Sequence, residues 1–403
     1  MTLPSLEMET LADRLRRHEP SVAGGPAAIQ VVRGPGRVNL IGEHTDYNQG
    51  YVLPVAIDLE IRIAFVPTAD RHVAITLPET GERREFSLDA IPPTGGQWID
   101  YVAATAWSLQ SAGIRLHGFR GVLASNLPIS AGLSSSAALE LASAWALLDP
   151  PDLAAHGIDA MMLARLCQRA ENDHVGVNCG IMDQFAASLG QRARAMFLDC
   201  RDLTYRPVAL PGNDLVLVVC DTNAPRRLGD SEYNLRRAEC DAAVATIAEQ
   251  EPGVESLRDV DPEMLARHAP RLAPVELARA EHVVRENGRV LRTVEALEVG
   301  NLEAVGRLFA ESHASLRDRF EVSSPELDAM VEIAAATPGV VAARMTGAGF
   351  GGCTVNLVRR DAVDGFRAAI AREYPERTGR EPRVFPVAAA DGAGVMVSGG
   401  TEG

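Results

Sequence analysis

Leu59, Ile61, Ile63 and Phe65 alternate with Glu60, Arg62 and Ala64, and this period of two predicts a half-buried strand. Ile29–Arg33 reads as a second strand, and the apolar run Leu215–Asp221 as a fully buried one. Elsewhere the pattern turns helical. Ser134–Leu148 predicts an alanine-rich helix that opens on serine. Met161–Asn172, Leu235–Ile247, Pro274–Leu297 and Leu302–Leu316 predict four more, the last two broken at Gly300. Cys353–Val358 predicts a strand leaving a glycine-rich turn. Strands and helices mix without regular β-α-β alternation, which favours α+β layers over a doubly wound sheet. No internal repeat or low-complexity segment interrupts them. At 403 residues the chain is too long for one compact core and predicts two domains, the weakest boundary falling between Arg192 and Asn213.

Composition narrows the function. Hydrophobic residues make up 46% and charged residues 23%, an ordinary globular balance. The longest strongly apolar run, Leu215–Cys220, is far too short to span a bilayer, and Met1–Arg16 has no signal-peptide core. Six cysteines without a C-x-x-C pair read as reduced thiols of a cytoplasmic protein. The net charge of −15 argues against nucleic acid or an anionic membrane as partner. Lysine is absent, so all 39 basic residues are arginine. A GC-rich genome accounts for most of that bias. It nevertheless excludes a P-loop, which needs its G-K-[ST] lysine, and a protein-kinase fold, which needs a strand lysine. A phosphate site here must be built from backbone amides, hydroxyls, arginine and metal.

Four segments carry candidate chemistry. Pro35–Pro54, PGRVNLIGEHTDYNQGYVLP, packs Arg37, Glu43, His44 and Asp46 into ten residues among glycines. Fixed charged donors and acceptors of this kind suit several sugar hydroxyls, but a polar turn between strands reads the same way. Leu127–Leu139, LPISAGLSSSAAL, leads a Gly-Leu turn into three serines and a helix. Free amides and the dipole at a helix N-terminus bind phosphate without lysine, and a serine hydroxyl can ligate magnesium. A serine-capped, closely packed helix is the plainer alternative. Glu171–Phe185, ENDHVGVNCGIMDQF, places Asp183 twelve residues after Glu171, which suits a metal ligand and a proton acceptor or two solvated carboxylates. Arg344–Thr354, RMTGAGFGGCT, holds four glycines that can line a ligand, a weak signal alone.

All four occur in order at the spacing of the GHMP kinase superfamily, and the first resembles the galactokinase signature almost residue for residue. The resemblance runs from about Arg33 to about Val358. It implies a two-domain α+β GHMP kinase fold, with the active site in the cleft between an N-terminal domain, 1–206, and a C-terminal domain, 207–403. The galactose-binding signature would span 33–54, the phosphate loop 127–139 and the glycine-rich motif 344–354. It implies that Arg37 and Asp183 form the catalytic pair. Glu43, His44, Asp46, Gly180 and Tyr233 would hold the sugar; Tyr233 lies in DSEYNLRRAEC, which looks like the matching galactokinase segment. Gly132, Leu133, Ser134, Ser135, Ser136 and Ala137 would cradle the phosphates of ATP, Ser136 and Glu171 would ligate Mg2+, and Trp98 would line the adenine pocket. Mevalonate kinases resemble this family but carry lysine where Arg37 stands.

The implied activity is ATP-dependent phosphorylation of the anomeric hydroxyl of D-galactose, opening galactose catabolism. The implied protein is a cytoplasmic monomer whose partners are a small-molecule sugar and ATP, with no nucleic acid and no membrane. Asp183, beside Arg37, is a weak base, so it orients the hydroxyl first and accepts its proton late, as a loose transition state allows. The sequence departs from the family pattern in several places. Gly34 replaces the usual alanine, Ser130 and Ala131 stand where glycines are common, Ala348 replaces a glycine, and Asp100–Ala104 lacks a frequent basic residue. None removes a group with a chemical role. Two alternatives stand beside this reading: a GHMP kinase for N-acetylgalactosamine or L-arabinose, and a non-catalytic galactose sensor. Such sensors can lose the Ser-Ala step, but Ser136-Ala137 is intact.

Overall fold

The computed structural model describes residues 6–22, 28–128, 131–148, 157–212, 214–224 and 229–396. Ser130 and Asn213, both singled out above, lie outside the described residues. Strands β1 (Gln30–Asn39), β3 (Pro54–Thr68), β4 (His72–Thr76), β5 (Arg83–Ser87), β6 (Gly118–Ser125) and β13 (Gly394–Val395) form a six-stranded sheet ordered β13-β1-β3-β6-β4-β5. A four-stranded sheet runs β10-β11-β9-β12, from Val340–Thr346, Cys353–Arg359, Leu215–Asp221 and Arg383–Val387. A three-stranded sheet joins β2 (Tyr51–Val52), β7 (Arg194–Asp199) and β8 (Tyr205–Ala209). Among the described residues β4–β6 is the one parallel ladder. This is the antiparallel-rich mixture that α+β layers predict, not a doubly wound sheet.

The alternation around Leu59–Phe65 does lie on a strand, but the strand is not half-buried. Glu60 and Ala64, expected to face water, are buried as well. Ala64 packs with Val66 and Val122 beneath Leu11 and Leu15 of the helix Met8–His18. Glu60 is tied to Arg62 and Arg33. On the other face, Ile61, Ile63 and Phe65 join the main core. That core continues through Leu141 of the helix Ser135–Leu147 to Val290 and Val294 of Pro274–Glu298 and to Val355 of β11. The six-stranded and four-stranded sheets therefore share apolar packing around the residues discussed below.

The strand expected to stop at Arg33 runs on to Asn39, with a register shift between Pro35 and Arg37. Such a bulge bends a strand and re-aims its side chains. Helices Ile99–Ser111, Met182–Leu189, Pro325–Ala336 and Val363–Thr378 were not anticipated. Ile99–Ser111 buries residues almost all around its circumference, from Val102 through Leu109, so it shows no amphipathic period. No helix among the described residues is long and apolar enough to cross a membrane, and the six cysteines are all free.

Candidate active site

The bulged segment of β1 lies directly against the start of the helix Ser135–Leu147. A Cβ at position 34 would sit 1.9 Å from the carbonyl oxygen of Ala138, which explains why this chain carries glycine there. The Arg37 amide donates to the Leu133 carbonyl at 3.1 Å, locking the strand to the Gly132–Leu133 turn. The Arg37 guanidinium then grips Asp183 as a fork: Nε to Oδ1 and Nη2 to Oδ2, each 2.7 Å. Nη1 donates to the Gly132 carbonyl, also at 2.7 Å. Burial works against the Arg37 charge, but the Asp183 carboxylate outweighs it and holds the guanidinium above its usual pKa. Bidentate pairs of this type fix geometry as well as charge.

Ser134 does not act as the helix cap its position suggests. Its backbone is left-handed at φ 59° and its side chain does not cap the helix. The hydroxyl donates instead to Asp183 Oδ2 at 2.5 Å. Asp183 Oδ2 thus takes two donors and Oδ1 one. The start of the helix, with Ser135, Ser136 and Ala137, faces the same junction through Gly132 and Leu133. The Ser136 hydroxyl bonds the Glu171 carboxylate, so the two expected metal ligands do meet.

Glu171 sits on a wide turn, Ala170–Val175, that extends the helix Ala160–Arg169. Its other donors are neutral: Gln184 Nε2 at 2.6 Å and the Cys179 thiol at 3.4 Å. Burial, reinforced by the Asp183 charge, pushes its pKa upward. Glu140 lies behind it, fully buried, and is pushed up by burial and by Glu171 itself. A carboxylate with hard-oxygen company and no cationic partner suits a divalent metal, so the donor set fits Mg2+.

The sugar candidates form two groups. Asp46 rests on Gly180 so closely that a Cβ there would lie 1.9 Å from Oδ2. Burial and the nearby Asp183 raise the pKa of Asp46 to about 6. His44, also left-handed at φ 61°, donates from Nε2 to the Ala348 carbonyl at 3.2 Å and accepts at Nδ1 from Tyr47 at 2.9 Å. Burial lowers its pKa to about 3, so it is a neutral hydrogen-bonding group. Tyr233 lies 5.6 Å from the His44 ring and 5.5 Å from Tyr47, closing an aromatic wall.

Glu43 is placed differently. It is 1% exposed and turned toward the glycine-rich turn. Its carboxylate accepts from Asn39 Nδ2 at 2.9 Å, the Gly347 amide at 2.8 Å and Arg344 at 3.4 Å. It therefore ties two motifs together. In that turn Gly347, Gly349, Phe350, Gly351 and Gly352 all have positive φ, whereas Ala348 does not, so alanine there strains nothing. Trp98 is also apart from the cluster: it precedes the helix Ile99–Ser111 and donates to Glu82 at 3.3 Å. Sequence reasoning missed Gln184, Glu140, Cys179, Tyr47 and Asn39. Gln184 and Tyr47 adjoin named residues, but nothing in the pattern marked Glu140 off from a solvated helical carboxylate.

The chain is similar to known proteins over most of its length. Residues 20–67 match the galactokinase galactose-binding signature, 100–191 the GHMP kinases N-terminal domain and 293–376 the GHMP kinases C-terminal region. The chain is 47% identical to a galactokinase of Roseiflexus sp. (strain RS-1) over 364 residues, covering 90% of this chain and 92% of the relative. It is 43% identical to one from Chloroflexus aggregans, covering 92% and 94%. A crystal structure of Lactococcus lactis galactokinase complexed with galactose superposes with a TM-score of 0.89 at 36% identity, covering 95% of this chain and 99% of that one. The Methanococcus jannaschii mevalonate kinase, at 19% identity and TM-score 0.61, shares the fold.

Proposed function

Because the chain belongs to the galactokinase family of GHMP kinases, we propose that it transfers the γ-phosphoryl group of ATP to the anomeric hydroxyl of D-galactose. The observation that carries the mechanism is the fork between Arg37 and Asp183, with Ser134 on the same carboxylate. Asp183 Oδ1 retains the freer acceptor site, so the anomeric hydroxyl donates there. The new bond forms between that oxygen and the γ-phosphorus while the bond to the ADP oxygen breaks. The hydroxyl proton passes to Asp183 late, as a loose transition state allows. Arg37 holds the acceptor rigid and opposes the negative charge that gathers on the transferred group.

Asp46 accepts sugar hydroxyls beside Gly180, and His44, Tyr233 and Glu43 shape the wall around them. Gly132–Ala137 receive the phosphates at the helix N-terminus, and Trp98 borders the adenine. Ser136 and Glu171 would hold Mg2+, which would neutralise triphosphate charge. The division into 1–206 and 207–403 puts these groups at the join between domains, although β13 crosses back to pair with β1. The protein is a cytoplasmic monomer in this reading. A coupled ADP-release assay over galactose, glucose, N-acetylgalactosamine and L-arabinose tests it. ADP release with galactose well above the other sugars is expected. No sugar-dependent release would favour a sensor, and a better rival sugar would reassign the substrate.

A further inference from the structure

Behind Ser136 and Glu171 lies a buried polar group that no step above uses. Gln184 and Glu140 are both 0% exposed. The Gln184 amide nitrogen donates to Glu171 Oε2 at 2.6 Å and to Glu140 Oε2 at 3.0 Å. Its own Oε1 is buried without a hydrogen-bond partner, and so is Glu140 Oε1. Orphaned buried oxygens are costly, so one on each of two bonded residues calls for a reason. The amide is turned with both hydrogens on carboxylates and leaves its oxygen unpaired. Its orientation is therefore set mainly by Glu171 and Glu140, with the Cys179 sulfur a longer contact at 4.0 Å.

The placement follows from the chain. Gln184 is the residue after Asp183 on the helix Met182–Leu189. Glu140 is one helical turn beyond Ser136 on Ser135–Leu147. One short helix thus carries the group that meets the sugar hydroxyl and the group that grips Glu171. The other carries the second metal ligand and the anchor for that grip. Glu171 itself sits on a wide turn, a local geometry common at functional sites.

We propose that Gln184 is a positioning residue for Glu171: its amide, anchored on Glu140, holds the Glu171 carboxylate in the orientation that receives a divalent cation. This rests on the assignment of Ser136 and Glu171 as metal ligands. Outer partners of metal ligands of this kind are typically worth ~10–100-fold in metal affinity. Glu140 acts through an acceptor oxygen, so an amide in its place serves as well, whereas an alkyl group does not.

The test measures Mn2+ affinity of the full-length protein in complex with ADP, by the electron paramagnetic resonance of free Mn2+, with thermal unfolding to show that each variant is folded. Gln184→Met, which keeps the volume and loses the donors, is expected to weaken Mn2+ binding at least tenfold while galactose binding without nucleotide stays near wild type. Glu140→Leu is expected to do the same and Glu140→Gln to restore affinity to within about threefold of wild type. Glu171→Gln is the control. If it leaves Mn2+ affinity unchanged, the ligand assignment fails. If it weakens binding while a folded Gln184→Met stays within threefold, only the positioning role is overturned. Should Gln184→Met not fold, the Glu140 pair decides: equal losses in Leu and Gln, or none in Leu, overturn the proposal.

Discussion

Arg37→Lys keeps the charge and removes the fork. The guanidinium makes three hydrogen bonds of 2.7 Å each, two to Asp183 and one to the Gly132 carbonyl. An ammonium on a flexible stem can keep about one of them, because lysine is a point charge and arginine a planar fork. Two charge-assisted bonds are lost, at roughly 1.5–3 kcal/mol each. Asp183 is 25% exposed, so water repairs part of its loss, and the lower end of that range applies. The Gly132 carbonyl adds a second effect. Releasing it loosens the turn that leads into the helix Ser135–Leu147, just where Arg37 N is held by Leu133. Together these predict a fall in kcat of ~100- to 1,000-fold, the scale seen when one preorganised charge-stabilising donor is removed. The coupled ADP assay at saturating galactose and ATP gives kcat directly, and a galactose titration gives KM. A loss of less than threefold would refute the reasoning, since Arg37 would then shape the loop and nothing more.

Asp183→Ala should abolish turnover yet leave ATP binding close to normal, because Asp183 contacts Arg37 and Ser134 rather than the helix amides; calorimetric nucleotide titration checks it, and near-normal turnover would sink the assignment. Glucose should be a poor substrate. It differs from galactose only at the 4-hydroxyl, and an unpaired buried group costs ~1–3 kcal/mol, which sets a ~5- to 150-fold difference in kcat/KM. Gly180→Ala should weaken galactose binding at least tenfold, since its Cβ would stand 1.9 Å from Asp46 Oδ2 and must displace that carboxylate; unchanged affinity would remove Asp46 from the pocket. Galactose affinity without nucleotide should fall as the pH drops through about 6, where Asp46 gains a proton, and Asp46→Asn should flatten that profile. The sign for stability is opposite. A carboxyl whose folded pKa is raised contributes stability that is present below its unfolded value, ~4, and lost as pH rises through about 6.

Much of this was legible in the sequence because the chemistry is local. Arg37, Glu43, His44 and Asp46 share one short segment, and a helix opening on serines carries its meaning in its first turn. What could not be read was direction. Glu43 looks like its neighbours in the motif, yet it turns to Asn39 and Gly347, because Gly347 arrives from more than 300 residues away. Ser134 resembles a helix cap, but a left-handed backbone swings its hydroxyl to Asp183. Leu59–Phe65 shows clean alternation, but the helix Met8–His18 covers its second face. The helix Ile99–Ser111 left no period because it is buried on nearly every side. In each case tertiary packing decides, and a one-dimensional pattern does not hold it.

The charge balance at the site carries the argument one step further. Asp46, Glu171 and Asp183 converge with Glu140 behind them, and burial, reinforced by the Asp183 charge, pushes Asp46, Glu171 and Glu140 upward. Among the described residues, Arg37 is committed to Asp183. Arg344, the other buried arginine of the four motifs, serves Glu43 and the carbonyls of Asn39 and Leu40. With no lysine in the chain and a net charge of −15, the global field does not favour a bare triphosphate. Helix amides supply only partial positive charge, about half an elementary unit. With Ser136 and Glu171 holding a divalent cation as proposed, ATP titrations with and without Mg2+ should show weaker binding of metal-free ATP, and raising salt should weaken the repulsion and narrow that difference rather than abolish binding.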